Sequence, residues 1–100
     1  FNVYPNEVED ILTRYHDVLE AAVIGVTDPH SGEAVKAFIV TRSGEKIDTE
    51  ALKTHCKKSL VNYKIPKIFE FRHSLPKSPV GKILRKDLRQ ESQVQSKGIV

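Results

Sequence analysis

One hundred residues, 39% of them apolar and 7% aromatic, make one small domain with one core, built without Trp or Met. No apolar run approaches the roughly 18 residues that span a bilayer, and the single cysteine, Cys56, builds no intramolecular disulfide, which favours a reducing compartment. The net charge of +3 hides a split: residues 1–50 hold 4 Lys/Arg against 10 Asp/Glu, and residues 51–100 hold 12 against 3, so an anionic partner is expected for the C-terminal half.

The N-terminus carries no basic-apolar-small leader pattern. It opens on Phe1 rather than Met, from which a processed or excised piece of something longer is expected. Pro5 suits the first position of a helix. Glu7, Glu9 and Asp10 crowd its first turns, where the helix dipole favours anions. Val8, Ile11, Leu12 and Tyr15 fall on one face, and His16-Asp17 end the helix. Val18 to Val26 reads as a buried strand. Thr27 to Gly32 is turn chemistry, and Ala34 to Thr41 is a second β-branched run. A short polar loop between them predicts an antiparallel pair. After the break at Ser43-Gly44-Glu45-Lys46, Asp48 is a plausible N-cap for a second helix. Leu52, Cys56 and Leu60 recur along its inner face, and Pro66 stops it. Ile68 to Arg72 is a short third strand. The stretch PKSPVGK (76–82) is a loop, and a third helix is expected to follow, with Ile83, Leu84 and Leu88 apolar. The tail from Glu91 has no useful period, and disorder is expected over 91–100. The sum is an α+β domain over 1–90, a small three-stranded sheet flanked by helices. If strands two and three run parallel, helix two is their crossover.

Several chemistries can be weighed. The basic half invites nucleic acid, but the cations spread over two helices and a loop, and neither zinc-finger spacing nor an RNA-recognition aromatic motif is present. His55-Cys56 has no further Cys or His at zinc-ligand spacing, so no metal ligands are assigned. Asp28, His30 and Ser31 lie within one turn, and contiguous residues rarely adopt triad geometry. Gly81-Lys82 lacks the spacer, first glycine and Ser/Thr of a P-loop. Gly81 gives backbone freedom beside Lys82. An ammonium on a flexible stem suits neutralising two oxygens that approach each other. By chemistry alone, Lys82 reads equally well as that group or as a surface lysine opening a helix.

PKSPVGKILRKDLR closely resembles the closing motif of the AMP-forming acyl-CoA synthetases, within the adenylate-forming superfamily that also includes luciferases and peptide-synthetase adenylation domains. Pro76, Gly81, Lys82, Arg85, Leu88 and Arg89 meet the pattern. FNVYPNEVED resembles the segment after the family's interdomain hinge. EAAVIGVTDPHSGEAVKAFIV resembles its paired strands, and YKIPKIFEFRHSLPKS its approach to the catalytic loop. The four matches stand in order along about nine-tenths of the chain, and FNVYPNEVED, SGEAVK and YKIPK look most like bacterial long-chain fatty acid–CoA ligases. Pro79 departs from the polar residue of many relatives, which makes a stiffer loop the expectation.

The resemblance implies a mobile C-terminal domain that is inactive alone and works with a missing N-terminal domain. It implies ATP, coenzyme A and a fatty acid as reactants, with Mg²⁺ held by that missing domain. Lys82 would stand between the acyl carboxylate and the α-phosphate during adenylation, aimed by Gly81. After a large rotation, Phe1 and Asn2 would lie near the pantetheine. Tyr63 and Lys64 would be cofactor-binding, contacting CoA phosphates or adenine, though Tyr63 reads equally as a core ring and Lys64 as a solvated cation. The resemblance also makes Lys82 a candidate for acetylation, which would remove its charge. The expected location is cytoplasmic, with a peripheral encounter at the inner membrane face. Two alternatives stay open: the same fold in a ligase for another carboxylic acid, and a stand-alone basic module binding nucleic acid.

Overall fold

The computed structural model describes residues 4–30 and 32–98, with side chains to residue 92. Pro5 opens α1 (Pro5–Thr13), where a missing N–H costs nothing and the ring presets the helical φ. Val8, Ile11 and Leu12 form its buried face. The helix stops two residues short of Tyr15, which still packs against the same core from the following turn.

β1 (Val18–Asp28) and β2 (Gly32–Thr41) form the expected antiparallel pair. The register sets Ala22 opposite Phe38 and Val26 opposite Ala34. Pairing continues to Asp28 opposite Gly32, so the turn is tighter than its polar composition suggests. α2 (Thr49–Lys57) starts where expected: the Asp48 carboxylate accepts the Glu50 N–H at 3.1 Å. Its Leu52 and Cys56 are buried. A short 3-10 helix, Asn62–Lys64, then turns the chain toward buried Ile65 and Pro66. Sequence periodicity gave no sign of it, since three residues are too few to show a period.

β3 (Ile68–Phe71) lies parallel to β2, completing a three-stranded mixed sheet of order β1-β2-β3. α2 therefore lies in the connection between parallel strands, as a crossover requires. Both sheet faces are covered. On one, Ala21, Val23, Val35, Ala37 and Ile39 meet Val8, Ile11 and Leu12 of α1 and Leu52 and Cys56 of α2. On the other, Ala22, Ile24, Phe38 and Val40 meet Leu75, Ile83 and Leu88. A sheet buried on both faces needs apolar residues at successive positions, which is why the strands read as continuous apolar runs.

α3 begins at Arg85 and runs to Gly98, past the point where the sequence suggested a tail. The expected helix start is corrected: Ile83 and Leu84 precede α3, and Ile83 pairs instead with Lys77 in an antiparallel bridge. Ile83 packs against the second core from that bridge and not from a helical face.

Candidate catalytic loop

The PKSPVGK stretch is a tight hairpin. The Leu84 N–H donates to the Pro76 carbonyl at 2.9 Å, and the Ser78 N–H donates to the Lys82 carbonyl at 2.8 Å. The Gly81 N–H donates to the Ser78 carbonyl at 2.9 Å. The Ser78 hydroxyl accepts the Lys82 N–H at 3.2 Å. This leaves Pro79, Val80 and Gly81 as a three-residue loop whose last residue is left-handed, with φ of 84° at Gly81. That is the arrangement in which a glycine bulge closes a hairpin. Pro79 fits the first loop position, where its φ is preset and no N–H is needed. Lys82 is thus the first residue of the return leg, not the mouth of a helix, and α3 starts three residues later.

Lys82 is exposed, and among the described residues no carboxylate pairs with its Nζ. Val80 beside it is 89% exposed, an apolar side chain at the hairpin tip. The legs are tied down by charge. Lys77 on the outgoing leg pairs with Glu20 of β1. Arg85, at the end of the return leg, forks onto Glu9 of α1: Nε to Oε2 at 2.8 Å and Nη2 to Oε1 at 2.5 Å. Its Nη2 also reaches Asn6 Oδ1 at 2.6 Å. The hydrogen bonds that Glu9 accepts hold the Arg85 guanidinium above its ordinary pKa, against the opposing effect of burial. These ties join residues 57 to 79 positions apart in sequence, and no local spacing could have announced them.

Tyr63 and Lys64 sit on the 3-10 helix. Tyr63 is 60% exposed, so it is a surface ring and not a core one. Lys64 Nζ donates to Glu7 Oε1 at 3.0 Å, and this bond raises its pKa. Glu7 and Glu9 are two residues apart on α1 and so point to different flanks. One binds the 3-10 helix that carries Lys64, and the other binds the base of the Lys82 hairpin. The structure therefore ties Lys64 and the base of the Lys82 hairpin to different residues of α1. Phe1 and Asn2 lie outside the described residues.

Much of the basic half meets the acidic half of the same chain. Lys64–Glu7, Lys67–Asp28, Lys77–Glu20 and Arg85–Glu9 all cross between them. The charge split thus has an internal partner that composition could not reveal. Cys56 is buried, and burial pushes its thiol up to about 11, which leaves it a packing residue and not a nucleophile. His55 places Nε2 2.6 Å from the Ile11 carbonyl and so ties α2 to α1. Among the described residues, no group of three His, Cys, Asp or Glu side chains could hold a metal ion, and no helix is long and apolar enough to cross a membrane.

The α+β fold described above is shared with known proteins. Residues 7–82 match the family described as AMP-binding enzyme C-terminal domain. The chain belongs to that family. It is 56% identical over 91 residues to a long-chain-fatty-acid–CoA ligase of Yersinia pestis, covering 91% of this chain and 16% of that protein. Its structure resembles a Mycobacterium tuberculosis fatty acyl CoA synthetase, with TM-score 0.84 and 35% identity, over 95% of this chain and 19% of that one. An amide bond synthetase from Marinactinospora thermotolerans matches with TM-score 0.81 and 41% identity, over 90% of this chain and 18% of that one. The chain thus spans about one-sixth of the length of the curated relatives it matches, as the 16% coverage shows.

Proposed function

We propose that this domain is the C-terminal part of a long-chain fatty acid–CoA ligase, and that Lys82 serves its adenylation step. The observation that carries this reading is the presentation of Lys82: an ammonium without a carboxylate partner among the described residues, on a hairpin fixed by cross-strand hydrogen bonds and ion pairs. In the first half-reaction, a carboxylate oxygen attacks the α-phosphorus of ATP. The bond to the bridging oxygen breaks, pyrophosphate leaves, and acyl-AMP forms. Both reactants are anionic, so their approach needs a cation between them. Lys82 supplies that charge and orients the pair. A preorganised hairpin matters because the ammonium then pays little reorganisation when the reactants arrive.

In the second half-reaction, the CoA thiolate attacks the acyl carbonyl and the bond to AMP breaks. The domain turns about the preceding hinge and brings a different flank to the reacting centre. The attachment of Lys64 to Glu7 and of the hairpin base to Glu9, on different flanks of α1, supports this division of labour. Exposed Tyr63 offers a stacking face, and Lys64 a cation near the CoA phosphates, with Phe1 and Asn2 beside the pantetheine. Mg²⁺ accompanies ATP, with its ligands expected in the N-terminal domain. That domain, the fatty acid, ATP and CoA are the expected partners. Cytoplasmic location, with a peripheral encounter at the inner membrane face, fits a lone buried thiol and a fatty substrate.

Against a nucleic-acid module stands the match of residues 7–82 to the AMP-binding enzyme C-terminal domain. The acyl class is tested on the full-length parent enzyme, by acid-dependent ATP–pyrophosphate exchange across carboxylic acids of graded length. Long-chain fatty acids should give the highest kcat/KM. Preference for an aryl or short acid would keep the family and overturn the fatty-acid assignment.

A further inference from the structure

Arg85 is an unusual first residue for a helix. A cation at a helix N-terminus opposes the dipole, yet here it is three-quarters buried and bonded through Nε and Nη2. Its partner Glu9 is more buried still, at 12% side-chain exposure, and does two jobs. Besides the Arg85 fork, Glu9 Oε2 accepts the Val23 N–H at 2.8 Å. β1 is an edge strand, so this carboxylate closes a backbone donor that the sheet leaves open.

We infer that Glu9 and Arg85 are positioning residues for Lys82, fixing the return leg of its hairpin against α1 and β1 so that adenylation depends on them. This rests on the reading of Lys82 given above. Only Ile83 and Leu84 separate Lys82 from Arg85. Both are held, Ile83 by its bridge to Lys77 and Leu84 by its bond to the Pro76 carbonyl. A leg so short and so bonded has little slack, and a shift of the guanidinium is carried to Lys82. Lys77–Glu20 holds the other leg to the same edge strand. A bidentate fork fixes direction as well as distance, which a single contact does not. Asn6 shares the guanidinium and limits its rotation.

The test uses the full-length enzyme with Glu9→Gln, Arg85→Met and Arg85→Lys, with Lys82→Ala as reference. Glu9→Gln keeps the side-chain volume and an oxygen for the Val23 N–H, so it reports the fork if Arg85→Met fails to fold. Thermal midpoints are recorded for each. Glu9→Gln and Arg85→Met should lower kcat of ATP–pyrophosphate exchange by about a hundredfold, the scale of an ångström-sized misplacement. KM for ATP and fatty acid should stay unchanged, as should thioester formation from supplied acyl-AMP and CoA. Arg85→Lys should recover part of the exchange rate. Wild-type exchange in both fork variants, with Lys82→Ala inactive, would overturn the positioning role and leave Lys82 in place. Equal loss in both half-reactions would overturn it too, because a merely structural clasp fails in that way. Full exchange in Lys82→Ala would sink the reading of Lys82 itself, and the positioning role with it.

Discussion

At the scale of single residues, the lysine, the glycine and the prolines of PKSPVGK are legible in sequence as a mobile-looking loop, but the hairpin is not. Pro79 and Gly81 announce a turn. What they cannot announce is that Ser78 closes it three times, through its N–H, its carbonyl and its hydroxyl. Gly81 adopts φ of 84°, where a side chain is strained although nothing crowds the space. Gly81→Ala should therefore cost about 1–2 kcal/mol in urea unfolding of this chain. In the full-length enzyme it should slow adenylation more than thioester formation. Gly44 has φ of 79° in the turn after β2, outside the Lys82 hairpin itself. Gly44→Ala should cost similar stability and leave the ratio of the two half-reactions alone. Equal effects of both substitutions on that ratio would show that Gly81 acts through stability only.

At the scale of elements, the strands and the first two helices follow from periodicity and capping, while the start of α3 does not. Ile83, Leu84 and Leu88 have helical spacing, but tertiary pairing with Lys77 claims Ile83 first. α3 is then docked by long-range charge. Arg72 Nη2 donates to Glu91 Oε1 at 2.7 Å, and its Nε donates to Glu70 Oε2 at 2.6 Å. Lys36 Nζ adds 3.1 Å to Glu70 Oε1, and both cations lie within 5 Å of the Phe38 ring centroid, Lys36 at 4.7 Å and Arg72 at 4.9 Å. Burial alone would push the Glu70 carboxyl up, but the bonds from Arg72 and Lys36 outweigh it and hold it below 4.5. A folded-state pKa below the unfolded value gives stability that is present above about 4.5 and lost as pH falls through the folded value. Glu70→Gln should cost about 1 kcal/mol at neutral pH, a modest figure because a third of the side chain is exposed. The gap to the parent should close in acid. Thermal midpoints measured from neutral pH downward check this, and a gap that stays constant below 4.5 would contradict the network.

At the scale of the whole molecule, charge asymmetry suggested an external anion, and the folded chain answers it in part from within. The pairs that cross between the halves leave Lys82 as a cation whose described surroundings supply no counter-charge. Family membership was legible because four motifs stand in order along one chain. The clasp of Glu9 on Arg85 was not, because each residue is ordinary in its own local context and the two meet only in the fold. The same architecture occurs in a fatty acyl CoA synthetase and in an amide bond synthetase among the proteins it resembles. The central claim is that Lys82 acts in the first half-reaction and leaves for the second. The direct measurement is made on full-length Lys82→Ala: fatty-acid-dependent ATP–pyrophosphate exchange, beside thioester formation from supplied acyl-AMP and CoA. The account predicts exchange reduced by about a hundredfold or more with thioester formation retained, and exchange at the parent rate would contradict it.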